Sequence, residues 1–126
     1  MARHLLDSDI LIYCLRGKAS VLILLEDICK TEVPAISSLS YFEICAGVHP
    51  PEEETVLNFL TSLRILPIDQ MVAEEAGNYV RDFRKRGITL SSIDTLIAAT
   101  AKLHGLTLVT ANTRDFPMTD VQKRSL

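Results

Sequence analysis

Long apolar runs are missing from this chain. The longest, Val21 to Leu25 and Leu96 to Ala101, fall far short of the roughly 20 residues that span a bilayer. The opening stretch lacks the apolar region of an export signal, because Asp7 interrupts it at once. A cytoplasmic protein without a membrane segment is therefore expected. Cysteine is scarce and odd in number: Cys14, Cys29 and Cys45 show neither C-x-x-C nor His-partnered spacing. That argues against a disulfide framework or a zinc site and predicts buried, reduced thiols. Histidine is limited to His4, His49 and His104, widely scattered, which weakens a Cys/His metal site further. Aromatics make up 6% of the residues, with no tryptophan, so few rings are available to stack on bases. Internal repeats, low-complexity segments and linkers are also absent.

What remains is an ordinary globular balance, 48% hydrophobic and 23% charged over 126 residues. Residues 1–126 are read as one domain, long enough to bury a core without staples. The net charge of −3 does not advertise nucleic-acid binding, but it is unevenly spread. Residues 1–63 carry four Lys/Arg against nine Asp/Glu, and residues 64–126 carry nine against seven. Metal bound by four of the acids would make the effective surface less acidic than that count.

Hydrophobic periodicity predicts alternating short strands and longer helices. His4-Leu5-Leu6 reads as a buried strand ending at Asp7. A helix follows through Ile10, Leu11, Tyr13, Cys14 and Leu15, closed by Arg16 and Gly17. Residues 19–30 form a second helix with Val21, Leu22, Leu24, Leu25 and Ile28 facing inward. Val33 to Ile36 is a strand with Pro34 near its start. Ser37 to Ser40 opens a helix from Tyr41 to Val48, and another covers residues 52–63, its three leading glutamates complementing the helix dipole. Ile65 to Ile68 is a strand. Residues 70–86 and 92–104 are helices, the latter with Ile93, Leu96, Ile97, Ala99, Thr100 and Leu103 apolar or small and Gly105 as its stop. Leu106 to Val109 is a strand, and Val121 to Lys123 a short last one. The order implies an α/β fold with a mainly parallel sheet, helices on both faces, and strand C-termini sharing one edge where ligands bind.

Four carboxylates stand at predicted junctions near that edge: Asp7, Glu43, Asp94 and Asp115. Each has an unremarkable alternative. Asp7 could simply cap a helix, with Asp9 complementing the dipole. Ser40 with Glu43, and Ser91 with Asp94, fit the S-x-x-E/D pattern of a capping box. Asn112 and Asp115 are ordinary turn residues. Asp94 sits in an apolar setting that half-buries it at a helix start, where an unpaired carboxylate wants a partner. Acids gathered from four remote segments would repel one another unless a cation joined them, and a divalent ion among oxygens points to phosphate chemistry.

These patterns resemble those of PIN-domain ribonucleases. Leu5-Leu6-Asp7-Ser8-Asp9-Ile10-Leu11-Ile12 is similar to the family's opening strand, and Ser37-Ser38-Leu39-Ser40-Tyr41-Phe42-Glu43-Ile44-Cys45-Ala46-Gly47 to its second motif. Asp94-Thr95-Leu96-Ile97-Ala98-Ala99-Thr100-Ala101 resembles the third, and Leu108 to Phe116 the fourth. Order, spacing and chain length match single-domain toxins of VapBC-type toxin–antitoxin pairs. The resemblance implies a three-layer α/β/α domain in which Asp7, Glu43, Asp94 and Asp115 are catalytic and bind one or two Mg²⁺ or Mn²⁺ ions. Thr110 and Asn112 would support them. Asp9 stands where the family often has Asn or Ser, and is read as a further supporting acid. The last strand is expected to be short or frayed, because the chain stops at Leu126 where family members often continue.

The implied reaction is endonucleolytic hydrolysis of RNA by activated water, since no Ser/His or Cys/His pair offers a nucleophile. Arg81, Arg84, Lys85 and Arg86 could contact RNA phosphate, or merely solvate a helix end. A homodimer and a cognate antitoxin are implied partners, with the apolar faces of residues 10–25 and 41–60 as candidate surfaces. Two other readings compete. A phosphatase using Asp7 and Asp9 lacks a following Gly-Thr turn, a partner lysine motif and room for a cap. An inactive PIN-like binding subunit is argued against by the intact acids.

Overall fold

The apolar residues of the central strands alternate, and the alternation sorts them into two cores. A computed structural model describes residues 2–126. Its strands are β1 (His4–Leu6), β2 (Ala35–Ser37), β3 (Arg64–Leu66), β4 (Thr107–Val109) and β5 (Lys123–Arg124). They form one five-stranded sheet in the order β3-β2-β1-β4-β5, every pairing parallel. Leu5, Ala35 and Leu108 point to one face; Leu6, Ile36 and Val109 point to the other. A period of two does this in any strand, and burial on both faces is what parallel strands require.

Six helices cover the faces: α1 (Ser8–Leu15), α2 (Ala19–Cys29), α3 (Ser38–Gly47), α4 (Glu53–Thr61), α5 (Gln70–Lys85) and α6 (Ser92–His104). One core joins Leu5 and Leu108 to Val72, Ala76, Tyr79 and Phe83 of α5 and to Ile97, Ala98 and Ala101 of α6. The other joins Leu6 and Val109 to α1, α2, α3 and α4 through Ile10, Leu11, Val21, Leu25, Ile44 and Leu60. This is the expected α/β/α sandwich. Each fully buried Leu or Ile contributes about 2 kcal/mol of apolar transfer. Among the described residues, no helix is long and apolar enough to cross a membrane.

Several boundaries move by a few residues, for local reasons. Pro34 has no N–H to give, so β2 begins at Ala35, while the Pro34 carbonyl accepts from the Arg64 amide at 3.0 Å and starts β3 one residue early. Pro50 to Glu52 form a 3-10 turn ahead of α4. The helix α3 starts at Ser38, earlier than expected, because the Ser37 side chain accepts from the Leu39 amide. Ser40 therefore does not cap, and the capping box with Glu43 is not formed. Asp69, unremarked in the sequence, caps α5 by accepting from the Val72 amide. β5 is short, as expected, yet anchored: Leu108 and Thr110 amides donate to Gln122 and Arg124 carbonyls at 2.8 and 3.1 Å.

The burial expectations need correction in places. Cys29 is exposed and Cys14 and Cys45 are half-buried, all reduced. Leu22 on α2 also faces outward. It sits beside the stripe that meets the sheet, and a run as apolar as this helix hides where that stripe lies.

Candidate active site

The C-terminal ends of the two central strands, β1 and β4, meet the first turns of α1 and α6, and the candidate acids converge there. Asp7 ends β1 and caps α1: its Oδ1 accepts from the Ser8 amide at 2.8 Å. Its other oxygen accepts from the Thr110 hydroxyl, just beyond β4, at 2.9 Å. Asp7 thus caps α1 and at the same time is tied to the end of β4, so the cap reading does not exclude a second role. Two residues on, Asp9 Oδ2 accepts from the Ala111 amide at 3.0 Å and from Asn112 Nδ2 at 3.4 Å, and lies 3.4 Å from Thr110 Oγ1, whose one proton goes to the nearer Asp7. Thr110 and Asn112 therefore contact the acids directly, joining positions about a hundred residues apart in sequence.

Glu43 lies in the second turn of α3 and reaches the site through a residue the sequence reading passed over. The Ser8 hydroxyl donates to Glu43 Oε1 at 2.6 Å and lies 2.9 Å from the Ser40 hydroxyl. A hydroxyl has one proton to give, so Ser40 must donate to Ser8 while Ser8 donates to Glu43. Ser8 and Ser40 are both buried. Nothing short of a fold could have paired them, since only topology sets α1 against α3. The serine between two aspartates and the serine three before the glutamate were the available signals.

Asp94 occupies the first turn of α6, where the Ser91 side chain accepts from its amide at 3.4 Å. It is half-buried, as expected. Asp115 closes a 3-10 turn, Thr113–Asp115, and is exposed. The turn's backbone bond runs from the Asp115 amide to the Asn112 carbonyl at 3.1 Å.

Electrostatics shows that these groups share one field. Asp7 is pushed up to about 7, chiefly by burial and then by the Asp9 charge, with Asp94 adding to it; the bonds from Thr110 and the Ser8 amide pull the other way. Burial raises Asp94 as well, followed by the charges of Asp115, Glu43 and Asp9. Asp9 is raised by burial and by Asp115, against the donors at Ala111, Ile10 and Thr110. Each of Asp7, Asp9 and Asp94 thus feels the charge of at least one other acid of the set, and desolvation plus like charge disfavours their joint ionisation. Perturbation of this kind concentrates at functional sites.

The donor chemistry suits a small hard cation. Asp9 Oδ1 is buried and has no hydrogen-bond partner, an unsatisfied carboxylate oxygen that is costly to leave without a donor or cation. Among the described residues, no three acidic, histidine or cysteine side chains already encircle one point. Magnesium does not need such a cage, because it keeps several waters and takes one or two carboxylates together with substrate phosphate. The set present, orphan oxygen included, fits that pattern better than a closed all-protein site.

The basic cluster lies at the same end of the molecule. Lys102, late in α6, pairs with Glu75, early in α5, at 2.6 Å, so the two packed helices run in opposite directions. The end of α5 accordingly sits near the start of α6 and Asp94. Arg81, Arg84, Lys85 and Arg86 are exposed, and none forms an ion pair among the described residues. Arg81 turns back to the Asn78 side chain, and Arg86 stacks 4.0 Å over the Phe83 ring. Arg84 and Lys85 are left to solvent.

The PIN-domain family profile matches residues 4–122, spanning every element of the sheet up to β5. The chain belongs to the PIN-domain family. Ribonuclease VapC10 of Mycobacterium tuberculosis is 37% identical over 114 residues, covering 90% of this chain and 86% of that protein. A chain of a toxin–antitoxin complex from Klebsiella pneumoniae superposes on this PIN domain with a TM-score of 0.79 at 30% identity, covering 94% of each. VapBC2 from Rickettsia felis, bound to a DNA fragment from its promoter, superposes with a TM-score of 0.86 over 97% of each chain; at 24% identity it shares the fold.

Proposed function

We propose that this PIN domain is a Mg²⁺- or Mn²⁺-dependent endoribonuclease, the toxin of a toxin–antitoxin pair. One observation carries it: carboxylates from β1, α1, α3, α6 and the β4–β5 connection crowd together, so closely that burial and mutual charge hold Asp7, Asp9 and Asp94 above the usual carboxylate range. An uncompensated cluster of that kind costs stability and calls for a cation. The printed names of its relatives, ribonuclease VapC10 and a toxin–antitoxin complex, point to the same chemistry and partner.

Asp94, Asp115, Glu43, Asp7 and the orphan Oδ1 of Asp9 are the groups that would hold the ion. When bound, such an ion polarises a phosphate and makes a water nucleophilic near neutral pH. The chain's own residues supply the rest. Thr110, Ala111 and Ser8 fix Asp7 and Asp9 from three sides. Ser8 holds one oxygen of Glu43, and among the described residues the other has no hydrogen-bond partner and is available to the ion. The N-terminus of α6 directs its positive end at the site, favouring phosphate. Arg84 and Lys85 draw the RNA backbone toward the acids by charge, without reading bases.

An antitoxin segment is proposed to seat in the groove beside Glu43, lined by Ile12, Leu15, Ile44, Val48 and Val56 with Arg16 at its rim. The exposed Leu22, Ile23 and Phe42 offer apolar surface for a second copy of the chain. A cytoplasmic location is proposed along with the RNA substrate. The deciding experiment is cleavage of total RNA with Mg²⁺ or Mn²⁺. Wild type should cut, EDTA should stop it, and Asp94→Asn should lower the rate at least about a hundredfold while keeping its circular dichroism spectrum. Cleavage that survives EDTA or Asp94→Asn sinks the proposal.

A further inference from the structure

Four of the five carboxylates either accept a hydrogen bond or ride on the capped first turn of a long helix; Asp115 does neither. Asp7 and Asp9 accept from Ser8, Thr110 and Ala111, Glu43 accepts from Ser8, and Asp94 is locked into the capped first turn of a 13-residue helix. Among the described residues the Asp115 carboxylate accepts no hydrogen bond, and it is carried by a three-residue 3-10 turn. So short a turn has little intrinsic stability. Whatever fixes the chain just after Asp115 fixes the carboxylate.

That anchor is visible. The Lys123 side chain, half-buried on β5, turns back over the loop, and its Nζ donates to the Phe116 carbonyl and the Met118 carbonyl, each at 2.7 Å. Phe116 is the residue next to Asp115, and its carbonyl is one that a longer helix would have satisfied internally. An ammonium there caps the end of the 3-10 turn, where carbonyls carry partial negative charge. Phe116, Met118 and Val121 are 1%, 2% and 3% exposed, so the loop is pinned from below by apolar burial and from the side by one cation. No carboxylate pairs with Lys123 among the described residues, which leaves the two carbonyls as the partners of its charge. Lys123 is itself held in register, because β5 pairs with β4 at Leu108 and Val109.

We infer that Lys123 is a positioning residue for Asp115: by gripping the Phe116 and Met118 carbonyls, it sets the turn from which that carboxylate enters the site. The inference rests on the proposed ion-holding role of Asp115. The last strand, though only two residues long, thereby becomes part of the active-site scaffold. Hydrogen bonds from a charged donor are stronger than those between neutral groups, and two of them can decide the conformation of a turn this small.

The test compares wild type, Lys123→Met, Lys123→Gln and Lys123→Arg as full chains. Two readouts are followed, amide hydrogen exchange over residues 112–118 and Mn²⁺ binding by titration calorimetry. Lys123→Met should speed exchange of the Asp115 and Phe116 amides about tenfold and weaken Mn²⁺ binding by a similar factor. The α6 amides should stay as in wild type. Lys123→Arg, which keeps charge and two donors, should recover most of both effects. Asp115→Asn should cost Mn²⁺ affinity in wild type and much less in Lys123→Met, because the two substitutions remove the same contribution. Should Lys123→Met fail to fold, Lys123→Gln retains one donor and gives the same readouts at smaller amplitude. Unchanged exchange in the turn overturns the inference, and so does faster exchange with unchanged Mn²⁺ affinity. If wild type binds no Mn²⁺, the metal-dependent function fails instead, and the exchange arm still decides whether Lys123 holds the turn.

Discussion

Replacing Asp7 with Asn should stabilise the metal-free protein at pH 8, an unusual outcome for altering a buried, doubly hydrogen-bonded residue. Asp7 moves from 3.8 in the unfolded chain to about 7 in the fold, with burial the main cause. Between those values the folded state binds more protons than the unfolded one. Stability is therefore greatest below about pH 4 as far as this group is concerned, and falls as the pH rises toward 7. A shift of about three units corresponds to about 4 kcal/mol, at roughly 1.4 kcal/mol per unit. An amide avoids that ionisation cost but offers one acceptor where the carboxylate had two: its oxygen accepts more weakly from the Ser8 amide, and its NH2 must donate to the Thr110 hydroxyl instead, losing about 1 kcal/mol at each bond. A net gain of about 2 kcal/mol at pH 8 in EDTA is expected, shrinking to zero or below at pH 5. Urea unfolding at several pH values, followed by circular dichroism, measures it. Asp9 and Asp94 are raised too, so the variant should flatten the stability–pH curve only in part. Added Mn²⁺ should reverse the order, since an ion at a hundred times its Kd stabilises wild type by about 2.7 kcal/mol and the variant by far less. An Asp7→Asn protein less stable than wild type at pH 8 in EDTA would refute the account of a charged cluster awaiting a cation.

Two further substitutions test separate parts of the site. Ser8→Ala removes the donor to Glu43 and strands the buried Ser40 hydroxyl; it should cost about 1–2 kcal/mol of stability by chemical denaturation and lower RNA cleavage about tenfold, with Ser8→Thr recovering most of both. Replacing Arg84 and Lys85 together by Ala should weaken RNA binding without changing its sequence preference. In a filter-binding titration over salt, the slope of log K against log salt should become shallower by about 1.4 for single-stranded RNA, at about 0.7 per lost phosphate contact; an unchanged slope removes these residues from the interface.

Much of this protein was legible from its residues. The alternation of Leu5 with Leu6, and of Leu108 with Val109, is a local property of the strand period. Together with β-α spacing it determined a parallel sheet buried on both faces. Asp7, Asp94 and Asp115 stood at element boundaries that their own neighbours announced. Where the sequence misled, neighbouring possibilities were locally equivalent. Ser37 and Ser40 are both good caps, and only the contact with Ser8 decides that Ser40 faces α1 while Ser37 starts the helix. Cys29 and Leu22 are as apolar as Ile28, and which of them meets the sheet depends on how α2 is rotated against it.

The sequence alone determined which residue types sit at which junctions, because backbone preference and side-chain period act over a few residues. The tertiary structure alone decided who meets whom. Thr110 lies against both Asp7 and Asp9, Ser8 fastens Glu43, and Lys123 closes over the turn after Asp115. Each of these contacts crosses between separate segments of the fold, some of them a hundred residues apart. Burial, like charge and hydrogen bonding fall off within a few ångströms of space and take no account of separation along the chain.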